Sequence, residues 1–281
     1  LRLIARDRWF AAAIVAALAL GIAASSTMVS LLYGMNFRGL PFDEAGALVG
    51  IGGEPTRTQG RRIPFGVFET WQSTSRSFAA LSAEVDAVIN LGDEANATDR
   101  FAGTYVSHTA FSLLRVRPML GRDFRADDER AGAAPVVIIG YRVWADRYGS
   151  DPAVLGRVVR TNGQAATVTG VMPDGFTYPI DQQIWRPIAS LPGMEGPAAA
   201  QRPVRIVGRL ADGVTPEQAR AELSALQSMQ PVPEADRTRP TTVMPLNETY
   251  VGRVTDTAPM MLVAAVVLVL LIACSHAASL M

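Results

Sequence analysis

The chain has 281 residues, and its 26 basic residues balance 26 acidic ones; Lys is absent, so every basic residue is arginine. That balance excludes a general nucleic-acid binder, which needs a basic excess to neutralise phosphates. One Cys excludes an internal disulfide framework, two His are too few for a histidine metal centre, and 49% hydrophobic against 19% charged residues excludes a mainly disordered chain.

The mean hydropathy is positive, at +0.18, and both ends are apolar. Residues 1–8 form a basic flank, with Arg2, Arg6 and Arg8 against Asp7. Residues 9–33 then carry no charge over 25 positions, which as a helix reach roughly 38 Å, enough to cross a hydrocarbon layer of about 30 Å. A cleaved signal peptide is the competing reading, but an apolar run of this length favours a retained anchor. Ala13, Ala17, Gly21 and Ser25 recur at four-residue spacing, a row of small side chains that lets another helix approach closely.

Between the ends, residues 38–256 alternate strand-like and helix-like stretches. Ala47–Gly52 reads as a buried strand. Pro64–Ser75 reads as a helix whose stripe is Phe65, Phe68 and Trp71. Leu81–Leu91 and Arg100–Val106 read as strands, and Ser107 is placed to cap a short helix holding Phe111 and Leu114. Pro135–Ile139 reads as an inner strand, and Tyr141–Tyr148 as a helix stopped by Gly149. Asn162-Gly163 between Val158–Thr161 and Ala165–Val171 signals a two-residue hairpin, and Pro173-Asp174-Gly175 a turn. Pro192–Pro203 is the best internal linker candidate, or else simply a long loop, and Val204–Leu210 a further strand. Thr215-Pro216-Glu217-Gln218 forms a capping box before a helix with Ala219, Leu223 and Leu226 on its apolar face. Thr241–Leu246 reads as the last strand. The pattern predicts an α+β domain of one or two subdomains.

Residues 259–281 are again free of formal charge and read as a second membrane helix, with His276 towards its inner end, where a hydrogen-bonded helix interface suits an ionisable group. The basic flank places residues 1–8 in the cytoplasm and residues 38–256 outside. The chain opens on Leu1, and its second span stops at Met281, which suggests a piece of a longer protein.

An ordered series of motifs runs through the outer segment. It comprises Arg117-Pro118, Gly121-Arg122-Asp123-Phe124, Ala134-Pro135-Val136-Val137-Ile138, Trp144, Tyr148-Gly149-x-Asp151-Pro152, Leu155-Gly156-Arg157 and Val168-x-Gly170-Val171-Met172-Pro173-x-Gly175-Phe176. Arg209-Leu210-x-x-Gly213-Val214 and Leu270-Leu271-Ile272-Ala273-Cys274 complete it. In this order, between two apolar ends, the chain resembles the periplasmic core domain and first helices of MacB/FtsX-like ABC-transporter permeases, in the bacterial branch with two such units in tandem. The resemblance implies a machine in which a cytoplasmic ABC ATPase moves membrane helices and an exported domain transmits that movement. It also implies further permease helices or a second permease copy, a periplasmic accessory protein, membrane lipid around the spans, no nucleic acid and no cofactor. Where similar permeases often carry Asn after the Ile-Ala-Cys stretch, this chain has His276 and Ser279.

Catalytic signals are weak. Without Lys there is no G-x-x-x-x-G-K-[ST] loop, so ATP hydrolysis is expected of a partner and no enzymatic activity of this chain. Asp127-Asp128-Glu129 is read as a solvated turn, Ser107-His108 lacks a nucleophile elbow, and Trp71, Trp144 and Trp185 are read as core. The alternative function is a two-helix membrane receptor with an outer sensing domain; a membrane-anchored enzyme is a third reading.

Overall fold

The computed structural model describes residues 42–52, 62–94, 97–229 and 241–251, with the single positions 19, 22, 23, 26, 27 and 268. Two units divide the chain: residues 1–40 with 251–281, and residues 41–250. In the first, the described positions are helical, and Thr27 Oγ1 donates to the Ala23 carbonyl at 2.8 Å. Among the described residues no helix is long and apolar enough to cross a membrane; the predicted spans at 9–33 and 259–281 lie almost wholly outside them.

In the second unit, β1 (Leu48–Gly52) is buried at every position. After β2 (Ile63–Pro64) comes α1 (Phe65–Thr74), whose buried side is Val67, Phe68 and Trp71, the spacing of one helical face. β3 (Phe78–Gly92) and β4 (Asp99–Val106) pair antiparallel from Glu84↔Val106 to Leu91↔Asp99. α2 (Ala110–Leu114) ends on Arg115 at φ 57°. Then come β5 (Leu120–Gly121), β6 (Val136–Ile139) and α3 (Tyr141–Tyr148), stopped by Gly149 at φ 59°, the left-handed conformation that suits glycine at a helix end. β7 (Val158–Thr161) and β8 (Gln164–Val171) form the expected hairpin, with Asn162 at φ 50° and Gly163 at φ 82°. β9 (Ile184–Pro187), β10 (Pro203–Leu210), α4 (Pro216–Ser228), β11 (Thr242–Pro245) and α5 (Leu246–Val251) complete the order. The box before α4 is formed on both sides: Gln218 N–H donates to Thr215 Oγ1, and Thr215 N–H to Gln218 Oε1.

The strands form one sheet in the order β11-β1-β10-β3-β4-β9-β6-β8-β5. β7 changes its shape, because it pairs with both β8 and the end of β3, at Leu91↔Thr161 and Gly92↔Arg160. The path β3-β4-β9-β6-β8-β7 therefore returns to β3 as a closed six-stranded ring. Asn162 tightens that closure: its Oδ1 accepts from Asn90 N–H and its own N–H donates to the Asn90 carbonyl, each at 2.9 Å. Ile89, Leu91, Val137, Ile139, Val168 and Ile184 belong to the ring's core. A second core lies where α1 and α4 pack with β1, β10 and the first half of β3, around Phe68, Trp71, Leu81, Val204 and Leu223. A third gathers Phe111, Phe124, Met172 and Trp185. The mixed α+β class expected from the sequence is the one observed.

Three local expectations are corrected. Ser107 does not cap α2; its Oγ accepts from Ala83 N–H at 3.0 Å and its N–H donates to the Ala83 carbonyl, so it prolongs the β3–β4 pairing. The stretch 192–203 is a packed connection within the unit rather than a linker: it carries a short 3₁₀ turn at Pro197–Gln201, and Phe65 N–H donates to the Arg202 carbonyl at 2.8 Å. The last strand stops at Pro245, and Leu246 begins a helix.

Gly103 is a tight point of the ring, since a Cβ there would sit 2.8 Å from the Ile184 carbonyl and 2.5 Å from Ile89 Cδ1. Overpacking of this kind costs about 1–3 kcal/mol. Gly103→Ala is therefore expected to lower the midpoint of chemical denaturation followed by tryptophan fluorescence. Gly46→Ala, where nothing lies within 4 Å of the added atom, is expected to leave it unchanged.

Candidate functional site

The unit's first and last strands are neighbours. β1 and β11 pair antiparallel from Val49↔Pro245 to Gly52↔Thr242, so the chain enters β1 and leaves β11 at the same end of the sheet. Both connections are tied down there. Arg209, opposite Leu48 on β10, is buried, and its guanidinium holds three carbonyls: Nε donates to Leu113 O at 2.7 Å, Nη2 to Asp43 O at 2.9 Å and Nη1 to Glu44 O at 3.4 Å. Glu44 Oε2 adds charge at 3.7 Å. Glu44 itself is left-handed at φ 49°, and its other oxygen meets Arg115 Nη1 at 2.8 Å. That hydrogen bond holds the Glu44 carboxyl below the usual carboxylate range. On the exit side Leu246 is buried, and α5 crosses β1 where the strand has no side chain: a Cβ on Gly50 would lie 2.1 Å from Thr249 Oγ1.

A second polar constellation corrects the solvated-turn reading of Asp127-Asp128-Glu129. Asp128 takes both prongs of Arg122, at 2.7 and 2.8 Å, and accepts from Arg125 N–H at 2.7 Å. Glu129 accepts from His108 N–H at 2.7 Å and meets His108 Nδ1 at 2.8 Å. Only Asp127 keeps the expected exposure, in a surface pair with Arg130. Ser107 Oγ accepts from Ala83 N–H and His108 Nδ1 meets Glu129, and among the described residues no hydrogen bond joins Ser107 to His108. Trp71, Trp144 and Trp185 are core, as expected. Ala13, Ala17, Gly21, Ser25 and His276 lie outside the described residues.

The anchoring arginine opens the motif Arg209-Leu210-x-x-Gly213-Val214, but its anchoring role was not read from it; the local signal is a charge inside the buried stretch 206–210 of β10. The same holds on the outer face of β3, where Glu84 is buried, accepts from Tyr178 Oη, and shares Arg205 with Asp86.

The loop constellation titrates in a definite direction. Burial pushes the Asp123 carboxyl up to about 6, against an ordinary 3.8, and the hydrogen bond to Glu129 raises His108. Both groups hold protons more tightly in the folded chain than in the unfolded one, so their joint support for the fold is greatest at low pH. It declines as pH rises from about 4 through 6 and through the raised histidine value. Asp123→Asn keeps an acceptor for Phe124 N–H but cannot ionise. The variant's stability advantage over the parent is expected to grow between pH 4 and 7 in urea titrations; an advantage flat with pH would contradict the assignment.

The MacB-like periplasmic core domain model matches residues 11–226. Among solved structures, the periplasmic region of MacB from Actinobacillus actinomycetemcomitans shares the fold at a TM-score of 0.56 and 15% identity, over 78% of this chain and 97% of that one. The extracellular domain of the noncanonic ABC-type transporter YknZ from Gram-positive bacteria follows at 0.51 and 12%, over 70% and 99%. A domain of a putative permease from Porphyromonas gingivalis gives 0.52 and 18%, over 73% and 92%. No curated protein sequence matches. With more than half of its length matched by the family model, and with the same fold in these three structures, the chain belongs to the MacB-like periplasmic core domain family of ABC-type transporter permeases.

Proposed function

We propose that this chain is a permease segment in which residues 38–256 stand outside the cell membrane on two membrane helices, 9–33 and 259–281, and convert helix movement into reorientation of the outer domain for export or mechanotransmission. A cytoplasmic ABC ATPase supplies the energy, and this chain performs no catalysis itself. Further permease helices or a second copy pack in the membrane, where the row Ala13, Ala17, Gly21 and Ser25 and the imidazole of His276 offer contacts. A periplasmic accessory protein is the partner for the outer surface.

The single observation that carries the reading is the placing of both connections at one end of two neighbouring strands, β1 and β11, with Arg209 holding the incoming segment to β10 and α2. A displacement of either connection is delivered to the sheet at one edge, and the hydrogen-bond ladder passes it to β3 as a body. Hydrogen bonds from a charged donor are worth about 1.5–3 kcal/mol each, so this joint resists load better than a loop does.

Two measurements test it. In a Cys274→Ser background, Asp174→Cys, on an exposed turn, is expected to react with a membrane-impermeant maleimide in intact cells whose outer layer has been made porous; reaction only after lysis would refute the topology. In the full permease with its ATPase, Arg209→Ala is expected to leave ATP hydrolysis running while transport or partner activation falls. Arg209→Lys, which supplies one charged point instead of a three-way fork, should fall between the two. Equal coupling in all three proteins would refute the mechanical role of this joint.

A further inference from the structure

The short strand β9 reads Ile-Trp-Arg-Pro and is buried at all four positions. Alternation sends Trp185 to the aromatic cluster with Phe111 and Phe176. Ile184 and Arg186 face the other way, Ile184 into the ring core and Arg186 beside Tyr105, its register partner on β4. The Arg186 guanidinium lies 5.7 Å from the centre of the Tyr105 ring, is 1% exposed, and donates through Nη2 to Gln164 Oε1 at 2.7 Å. Its Nε has no hydrogen-bond partner among the described residues, and no described carboxylate lies within ion-pair distance of it.

That is not how the other enclosed arginines are handled. Arg122 faces Asp128, Arg205 faces Asp86 and Glu84, Arg147 faces Asp99, and Arg209 has Glu44 besides its three carbonyls. Guanidinium stays protonated in proteins, and a buried charge is costly unless a counter-charge compensates it. A neutral amide oxygen is a weak substitute for one.

Gln164 reaches Arg186 from the surface. It is itself exposed and lines a cleft of about 770 Å³ between the loops at 128–136 and 187–196, together with Val136, Pro187 and Ser190. Two acidic groups on the wall are engaged, Asp128 by Arg122 and Glu129 by His108, and the cationic Arg130 and a third acid, Glu195, also line the cleft. The space is large enough for a small metabolite and not for a folded partner.

We propose that this cleft binds a small ligand bearing an oxyanion, carboxylate or phosphate, with Arg186 as the buried counter-charge and Gln164 as the neutral placeholder that a ligand oxygen displaces. The planar fork, with one free Nε–H beside Nη2, suits two-pronged contact with such a group. The site is independent of the membrane reading, since every residue in it belongs to the outer domain.

The test is calorimetric titration of the full chain in detergent with succinate and, separately, with inorganic phosphate, chloride being held constant. Binding of at least one is expected, and which of the two binds assigns the oxyanion. Gln164→Ala removes the placeholder and should bind at least as tightly as the parent. Gln164→Glu supplies an internal carboxylate at an exposed position; it should weaken binding about tenfold or more, the loss of one charge-assisted contact, and raise the melting temperature without ligand. The proposal is overturned if neither anion binds the parent, or if Gln164→Glu binds as the parent does.

Discussion

The architecture depends on one uninterrupted strand. β3 runs for fifteen residues, about 50 Å at strand rise, and no neighbour spans it. Its first half pairs with β10, from Phe78 to Glu84, its second half with β4, from Glu84 to Leu91, and its last two residues with β7. One face is apolar along the length, with Leu81 and Ala83 in the helix-covered core and Ile89 and Leu91 in the ring core. The opposite face carries Ser82, Glu84 and Asp86. A slip by one residue would exchange the two faces and drive those carboxylates into the helix-covered core, so the register is held by charge as much as by packing.

From this follows the way the two connections reach the interior. The segment at 43–47 and the helix at 246–251 attach to β1 and β11, which are the two strands furthest from the ring along one side of the sheet. Between them and β3 stands only β10, and it is β10 that carries Arg209. Backbone ladders are stiff along the direction of their hydrogen bonds, and packed cores transmit strain rather than absorb it. There three backbone carbonyls and one guanidinium hold the incoming segment to the sheet.

The absence of lysine gives the electrostatics their character. Arginine has five donors in a rigid plane and gathers several acceptors at once. Arg209 collects carbonyls from two separate segments, Arg122 grips both oxygens of Asp128, and Arg205 bridges Glu84 and Asp86 on β3. Arg209 and Arg205 tie together pieces of chain that are distant in sequence, while Arg122 closes a loop of six residues. Arg186 alone of this group has no described carboxylate within ion-pair distance; it lies against the Tyr105 ring and donates to the amide of Gln164.

Local chemistry was legible in the residues themselves. Asn162-Gly163 makes its hairpin, Gly149 ends its helix and the Thr215–Gln218 box opens another, because each depends on dihedral preferences and hydrogen bonds within a few residues. The apolar stripe of α1 and the inner strand at 136–139 were equally plain, since burial leaves a period in the sequence. What tertiary structure alone decided is non-local: that Ser107 serves the sheet rather than a helix, that Asp128 and Glu129 find Arg122 and His108, that four residues at 184–187 join β4 to β6, and that β7 turns back to close a ring. In those cases the partner is supplied by another part of the chain, and no periodicity in one segment records which acceptor a guanidinium or hydroxyl will meet across a sheet. Sequence determined the elements and their faces; folding chose the pairings, because the free energy of a buried charge depends on neighbours that only the assembled sheet brings within reach.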